Sequence, residues 1–354
     1  MGNQKKILIV KMSAIGDVIH TLPALNAIRR QFPDAWITWL VEEAAADIVS
    51  GHGALDRVIV SKRKEWIKEL FSLKCSHALK SIRNFIKEFR NTQYDMIIDF
   101  QTLLKSGIMV MLAKGDQKIG FDKGMEHAES SHIFYHRRVS PVSMEIHALE
   151  RGLLLLRSLN IPCKKIEYKI PVTNRDKQDI DNLLMRKDLD PEKPVICINP
   201  QATWGTKLWD NKKFAILGDT LKREYHAQIV FTGGKSDQGA VKKIISMMKL
   251  QGINFAGLTT LKNLAALYEK ASLLITTDTG PMHLAAAMGT KIVAVFGPTA
   301  PWRTGPHGRN NVVVRSKIDC SPCFKRECST KKCMKNISVD DVMKGVKQLM
   351  GKKS

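Results

Sequence analysis

The stretch Ser272–Pro298 holds the densest set of side chains suited to handling an anion, at Asp278, Thr279, Gly280 and His283. They fall between two apolar runs, Leu273–Thr276 and Ile292–Phe296, which predict strands, with a short helix expected over Pro281–Met288. Thr279 suits a helix N-cap, Gly280 frees the backbone, and Pro281 suits the first helical position. A helix starting there turns unpaired N–H groups and the positive end of its dipole towards the carboxyl edge of a sheet, where phosphate binds. Asp278 then suits sugar hydroxyls and His283 a phosphate oxygen. A capped strand-to-helix crossover with a satisfied histidine fits the same residues.

Other stretches add to this chemistry. In Asn199–Trp209, Lys207 can neutralise phosphate as a point charge and Thr203 can donate a hydroxyl bond. Phe231–Ser236 ends in Gly-Lys-Ser, but a nucleotide-triphosphate P-loop needs a glycine five residues before Gly234, where Ile229 stands. The glycine turn can still approach a nucleotide, with Asp237 within reach of a ribose hydroxyl. No GxGxxG occurs, which argues against a dinucleotide cofactor. Asp17 closes Met12-Ser13-Ala14-Ile15-Gly16-Asp17 after an apolar run; it suits a general base and equally a helix N-cap. Cys320, Cys323, Cys328 and Cys333 form a dense thiol cluster. Four thiolates can hold zinc, although the familiar spacing is two close pairs apart; free structural thiols or a redox-sensitive loop are the default.

Regular elements must position these groups. Lys6–Lys11, Trp36–Val41, Arg57–Val60, Tyr94–Phe100, Lys118–Phe121 and Phe134–Val139 read as strands of a front half. A helix follows the first, with Pro23 expected to kink or restart it, and another spans His147–Leu159. The second half alternates strands (Val195–Asn199, Gln228–Thr232, Ile253–Phe255) with helices (Lys212–Tyr225, Gln238–Leu250, Leu261–Lys270). Such alternation predicts an α/β protein with a parallel, doubly wound sheet in each half. The linker is placed at Tyr168–Asp176, and the domains at 1–170 and 171–337. A terminal helix within 338–354 is expected to fold back on the first domain.

Ser61–Arg90 differs in kind. Lys62, Arg63, Lys64, Lys68, Lys74, Lys80, Arg83, Lys87 and Arg90 crowd it. Ile82, Phe85, Ile86 and Phe89 share one helical stripe, and Trp66, Ile67, Leu70 and Phe71 suggest another. A basic amphipathic hairpin of this kind can lie on an anionic bilayer; two surface helices packed on the core give the same pattern.

A chain of 354 residues is long enough for two cores, and a net charge of +22 points to an anionic partner: nucleic acid, phosphorylated lipid headgroups or an anionic membrane face. No nucleic-acid module is recognisable and the aromatics do not interleave with the basic run, so nucleic-acid binding stands as the rival of another class. Seven cysteines, an odd number in a large chain, do not read as a secreted disulfide framework. No apolar run spans a membrane. The four apolar residues before Lys11 are too few for a signal-peptide core, and Lys6 removes the myristoylation pattern after Gly2. A cytoplasmic chain is expected.

Taken together, Lys6–Leu25 (KILIVKMSAIGDVIHTLPAL), Tyr94–Gly107 (YDMIIDFQTLLKSG), His147–Arg151 (HALER), the Thr203/Lys207 segment, Thr232–Asp237 (TGGKSD) and Asp278–Gly289 (DTGPMHLAAAMG) resemble the ADP-heptose:lipopolysaccharide heptosyltransferases, glycosyltransferase family 9. The resemblance covers nearly the whole chain. It implies two Rossmann-like domains facing across a cleft, the glycosyltransferase-B fold. It also implies inverting, metal-independent transfer of heptose from ADP-L-glycero-β-D-manno-heptose to the lipopolysaccharide inner core, with no cofactor required and no nucleic acid bound. Carried over by position, Asp17 is the base, and Thr203 and Lys207 hold the diphosphate. Asp278, Thr279, Gly280 and His283 contact heptose and phosphates, and Asp237 stands where relatives often carry Glu for the ribose. Ser13, Gly16, Lys62, Arg63, Lys64, Lys68 and Lys105 face the anionic acceptor. The acceptor implied is Kdo-lipid A, with the first heptose favoured over a second or later one. The enzyme is then expected on the cytoplasmic face of the inner membrane.

Overall fold

The computed structural model describes residues 4–72, 75–126 and 129–351, so Lys74 of the basic segment lies outside the described residues. The chain divides into two compact units, Met1–Pro171 and Val172–Ser354.

The first unit is built on six parallel strands: β1 Lys6–Val10, β2 Trp36–Glu42, β3 Arg57–Ser61, β4 Gln93–Asp99, β5 Lys114–Phe121 and β6 Arg137–Val139. They lie in the order β3-β2-β1-β4-β5-β6. β1 is central because both its faces are apolar: Ile7, Leu8, Ile9 and Val10 are fully buried. Ile7 pairs with Ile37 on one side and Met96 on the other. The winding reverses between β1 and β4, which opens a crevice at their carboxyl ends. The helix Ile15–Gln31 runs unbroken through Pro23, so it does not restart there. The last expected strand is shortened, because Ser131–Phe134 forms a 3-10 turn and only Arg137–Val139 pairs.

The basic segment folds as helices Arg63–Leu70 and Cys75–Phe89. Phe85 and Phe89 are buried with Trp66, and Ile82 and Ile86 pack against the same cluster. That stripe therefore belongs to the core. Ile67, Phe71 and Leu79 remain outside, Phe71 at 90% exposure.

The second unit repeats the winding with β7 Val195–Asn199, β8 Gln228–Phe231, β9 Ile253–Asn254, β10 Leu273–Thr277, β11 Ile292–Phe296 and β12 Asn311–Arg315, ordered β12-β11-β10-β7-β8-β9. The reversal falls between β7 and β10, whose residues Ile198 and Ile275 are in register. The helix Asn174–Arg186 starts inside the expected linker, capped by Thr173, whose hydroxyl accepts from Asp176 N–H. The terminal helix Val339–Met350 packs on β11, β12 and the helix Asn211–Tyr225 of its own unit. This corrects the expectation that it returns to the first domain. Val342, Met343 and Val346 supply the apolar face that joins the second core.

Candidate functional site

In the second unit the reversal point gathers residues from three strand ends. Lys207, in the turn after β7, places its Nζ 2.7 Å from Asp278 Oδ2, just beyond β10. Thr299, beyond β11, donates its hydroxyl to the same oxygen at 2.6 Å. The pair is largely buried, with side-chain exposures of 16% for Lys207 and 6% for Asp278. Each charge offsets part of the other's cost of leaving water. The Lys207 ammonium also lies 4.4 Å from the centre of the Trp204 ring.

The helix after β10 begins at Gly280, with Pro281 second and Thr279 at the N-cap. The Thr279 hydroxyl makes no cap bond. Pro281 carries no N–H and Met282 N–H donates to Thr279 O at 3.1 Å, so of this first turn Gly280 N–H is the group left for an anion. His283 is buried in that helix and Thr203 is exposed at the rim. Asp237 Oδ2 accepts from Gly234 N–H at 2.7 Å, so that one carboxylate oxygen already holds its own turn.

The cysteine-rich loop rides on this rim. Cys323 and Phe324 donate their N–H groups to Pro298 O at 3.0 and 2.8 Å, and the Ser321 hydroxyl donates to Gly297 O at 2.7 Å. Met334 packs so close beneath that a Cβ on Gly297 would stand 2.4 Å from its Sδ. All seven cysteines are free. Among the described residues, no three or more His, Cys, Asp or Glu side chains are arranged to hold a metal ion.

Cys328 is exposed, with Lys331 N–H donating to its Sγ at 3.4 Å and the Thr330 hydroxyl 3.6 Å away. The Thr330 contact and backbone N–H groups bring its pKa down to about 7, whereas burial pushes Cys333 and Cys197 up. Iodoacetamide labelling should therefore rise to half its plateau near pH 7 at Cys328 and leave Cys197 unmodified, as read by peptide mass spectrometry. A midpoint above pH 8 would show that these contacts do not hold the thiolate.

The first unit presents its own constellation. Asp17 is the third residue of its helix and accepts Ala14 N–H on Oδ2 at 2.9 Å. The N-cap is Ala14, which corrects the reading of Asp17 as the cap; the carboxylate reaches back to the cap instead. Gly16 is buried in the same turn. Gln101 Oε1 accepts from both Met12 N–H and Ser13 N–H, at 3.1 and 3.0 Å, and so fixes this loop from beyond β4. Lys105 Nζ contacts Ser13 Oγ and lies 3.1 Å from Glu42 Oε1, which also receives Arg63 Nε at 3.2 Å. Ser13, Lys105 and Arg63 are thus brought together around one buried carboxylate. Lys62 instead pairs at the surface with Glu65 and Glu43, and Lys64 and Lys68 are exposed on their helix; these three stand apart from the cluster.

Asp17 lines a cavity of about 170 Å³ within this unit, together with Lys11, His20, Gln101 and Arg151. Lys11 is buried there and donates to Phe100 O at 2.9 Å. Burial lowers its pKa, and Asp17 and Asp99 pull it back up. Asp99 is buried in turn and receives the Ser106 and Tyr135 hydroxyls at 2.7 and 2.8 Å; desolvation raises its pKa. Sequence reasoning did not single out Lys11, Glu42, Asp99 or Gln101. The available signal was positional: each is a polar residue at the carboxyl end of an apolar strand, where doubly wound sheets place their sites.

The family model for glycosyltransferase family 9 (heptosyltransferase) matches residues 82–334. Lipopolysaccharide heptosyltransferase 1 of Pseudomonas aeruginosa is 30% identical over 325 residues, covering 92% of this chain and 87% of the relative. Lipooligosaccharide heptosyltransferase 2 of Campylobacter jejuni is 27% identical over 355 residues, covering 98% of each. Among solved structures, Escherichia coli heptosyltransferase WaaC with ADP superposes with a TM-score of 0.75 at 25% identity, over 97% of this chain and 99% of the other.

Proposed function

This chain belongs to glycosyltransferase family 9, the heptosyltransferases, and from that premise we propose that it moves L-glycero-D-manno-heptose from ADP-heptose to the lipopolysaccharide inner core, the first heptose on Kdo-lipid A being favoured. The observation that carries this reading is the content of the two strand-order reversals: one holds a carboxylate on a cavity, the other an ion pair beside a helix start. The relatives named heptosyltransferase 1 and the WaaC complex with ADP support the donor and the class of acceptor.

In this mechanism the acceptor hydroxyl attacks the anomeric carbon of the heptose while Asp17 takes its proton. The anomeric carbon–oxygen bond breaks with its electron pair going to ADP, and a single in-line displacement inverts the configuration. Charge growing on the diphosphate is met by Lys207 and the helix start at Gly280, with Thr203 as a hydroxyl donor and His283 one turn in. Asp278 orients Lys207 and faces the heptose, and Asp237 takes the ribose. Ser13, Arg63 and Lys105 form the nearer acceptor contact, and Lys62, Lys64 and Lys68 the outer one. No metal or cofactor is assigned a role.

Phe71, Ile67 and Leu79 are exposed beside Lys64, Lys68, Lys80 and Arg83. Apolar side chains set among cations suit an anionic bilayer, which supports a peripheral seat on the cytoplasmic face of the inner membrane. Among the described residues no helix is long and apolar enough to cross a membrane.

The test is transfer in vitro from ADP-heptose to Kdo-lipid A, with and without a first heptose already attached, in the presence of a chelator. ADP release with one heptose gained by the unsubstituted acceptor is expected. Transfer only to the pre-heptosylated acceptor would assign the second position. Transfer to neither would overturn the proposal.

A further inference from the structure

The pairing of Lys207 with Asp278 leaves an electrostatic deficit. A nucleotide-sugar diphosphate carries one negative charge on each phosphate. The Lys207–Asp278 pair is neutral as a unit, with the ammonium 2.7 Å from the carboxylate. The helix start at Gly280 contributes about half a positive charge. A second cation is needed, and it must stand close to the first.

Trp204 marks where that cation is. Its ring lies under Lys207 Nζ at 4.4 Å and under Arg326 Cζ at 5.0 Å. Measured through the ring centre, 4.4 and 5.0 Å away, the two cations are less than about 10 Å apart, within the reach of a diphosphate's outer oxygens. Arg326 is exposed, and no ion pair involves it among the described residues. Its guanidinium offers paired N–H donors that match phosphate oxygens, which a lysine cannot do.

The position of Arg326 is built into the fold. Thr206 donates its hydroxyl to Lys325 O at 2.9 Å, and Lys331 Nζ donates to Gly205 O at 2.9 Å. The loop carrying Arg326 is thus tied on both flanks to the segment carrying Trp204 and Lys207. Its near end is held to Pro298 and Gly297, beside Thr299, which completes the Asp278 contact. Ordering Arg326 on binding then costs side-chain entropy alone, because its backbone is already tied down.

We infer that Arg326, stacked on Trp204, is a binding residue for the diphosphate of the nucleotide donor, and that the cysteine-rich loop serves to seat it. This rests on the donor reading proposed above. The residue lies in the stretch whose thiols attract notice in the sequence, but the ligand contact comes from the arginine between them.

Calorimetric titration of the full chain tests it, with ADP and adenosine as probes and Arg326→Ala and Arg326→Lys as variants. Arg326→Ala should weaken ADP binding by about 10- to 100-fold, the range for a lost charge-assisted bond, and leave adenosine binding unchanged. Arg326→Lys should recover part of the ADP affinity. Equal ADP affinity in all three proteins would overturn the inference and leave the donor reading standing. Parallel loss of adenosine binding would also overturn it, since the arginine would then act through structure. Failure of the unaltered protein to bind ADP would overturn the donor reading and the inference with it.

Discussion

Asp17→Asn should lower the kcat of heptosyl transfer by about 10²- to 10⁴-fold with ADP affinity unchanged, the range for removing a positioned proton acceptor. The substitution is nearly isosteric. An asparagine oxygen can still accept Ala14 N–H, so the contact that fixes the first turn survives. What is lost is the capacity to take a proton from the attacking hydroxyl. Turnover within a few-fold of the unaltered enzyme would remove Asp17 from this role.

Lys207→Ala should have two separable effects. Transfer should fall by about 10²- to 10³-fold in kcat/KM, as when one preorganised donor to a developing charge is removed. Stability should fall by about 3–5 kcal/mol, because Asp278 keeps its burial and loses its cation. Chemical denaturation and steady-state kinetics read the two separately. The double variant Lys207→Ala with Asp278→Asn removes the stranded charge and should recover most of the stability. It should recover none of the transfer rate. Recovery of both would mean that the pair is structural and that the diphosphate is held elsewhere.

These two predictions differ in how much of their basis the sequence revealed. Asp17 could be found in the chain itself, as an acid closing a glycine turn after an apolar strand. Its partner groups could not. Ser13 and Lys105 are 92 positions apart and meet only because β1 and β4 are neighbours at the winding reversal. Glu42, which holds Lys105 and Arg63, ends a third strand. The bounds of the elements from Leu273 to Phe296 were readable because two buried runs flank a Thr-Gly-Pro helix start, although the Thr279 hydroxyl makes no cap bond. The helix Asn174–Arg186 was not, because Ile180 is its only fully buried residue and the surrounding charges resemble a linker. β12 escaped because a single valine triplet at a sheet edge gives little pattern. The basic segment showed its stripe plainly, but periodicity cannot tell a bilayer from a core. Packing against Trp66 settled that for Phe85 and Phe89 and left Phe71 outside.

Gly297 has an effect out of proportion to its size. With Met334 Sδ only 2.4 Å from where a methyl would stand, the bare backbone lets the basic loop settle flush against the end of its sheet. One carbon there would press first on the Met334 side chain and then on Cys333 Sγ, 3.3 Å away, at the foot of the strap that carries Arg326. Should those two side chains push the strap outward, a Gly297→Ala variant would lose ADP affinity in calorimetry through a residue that no visitor ever touches.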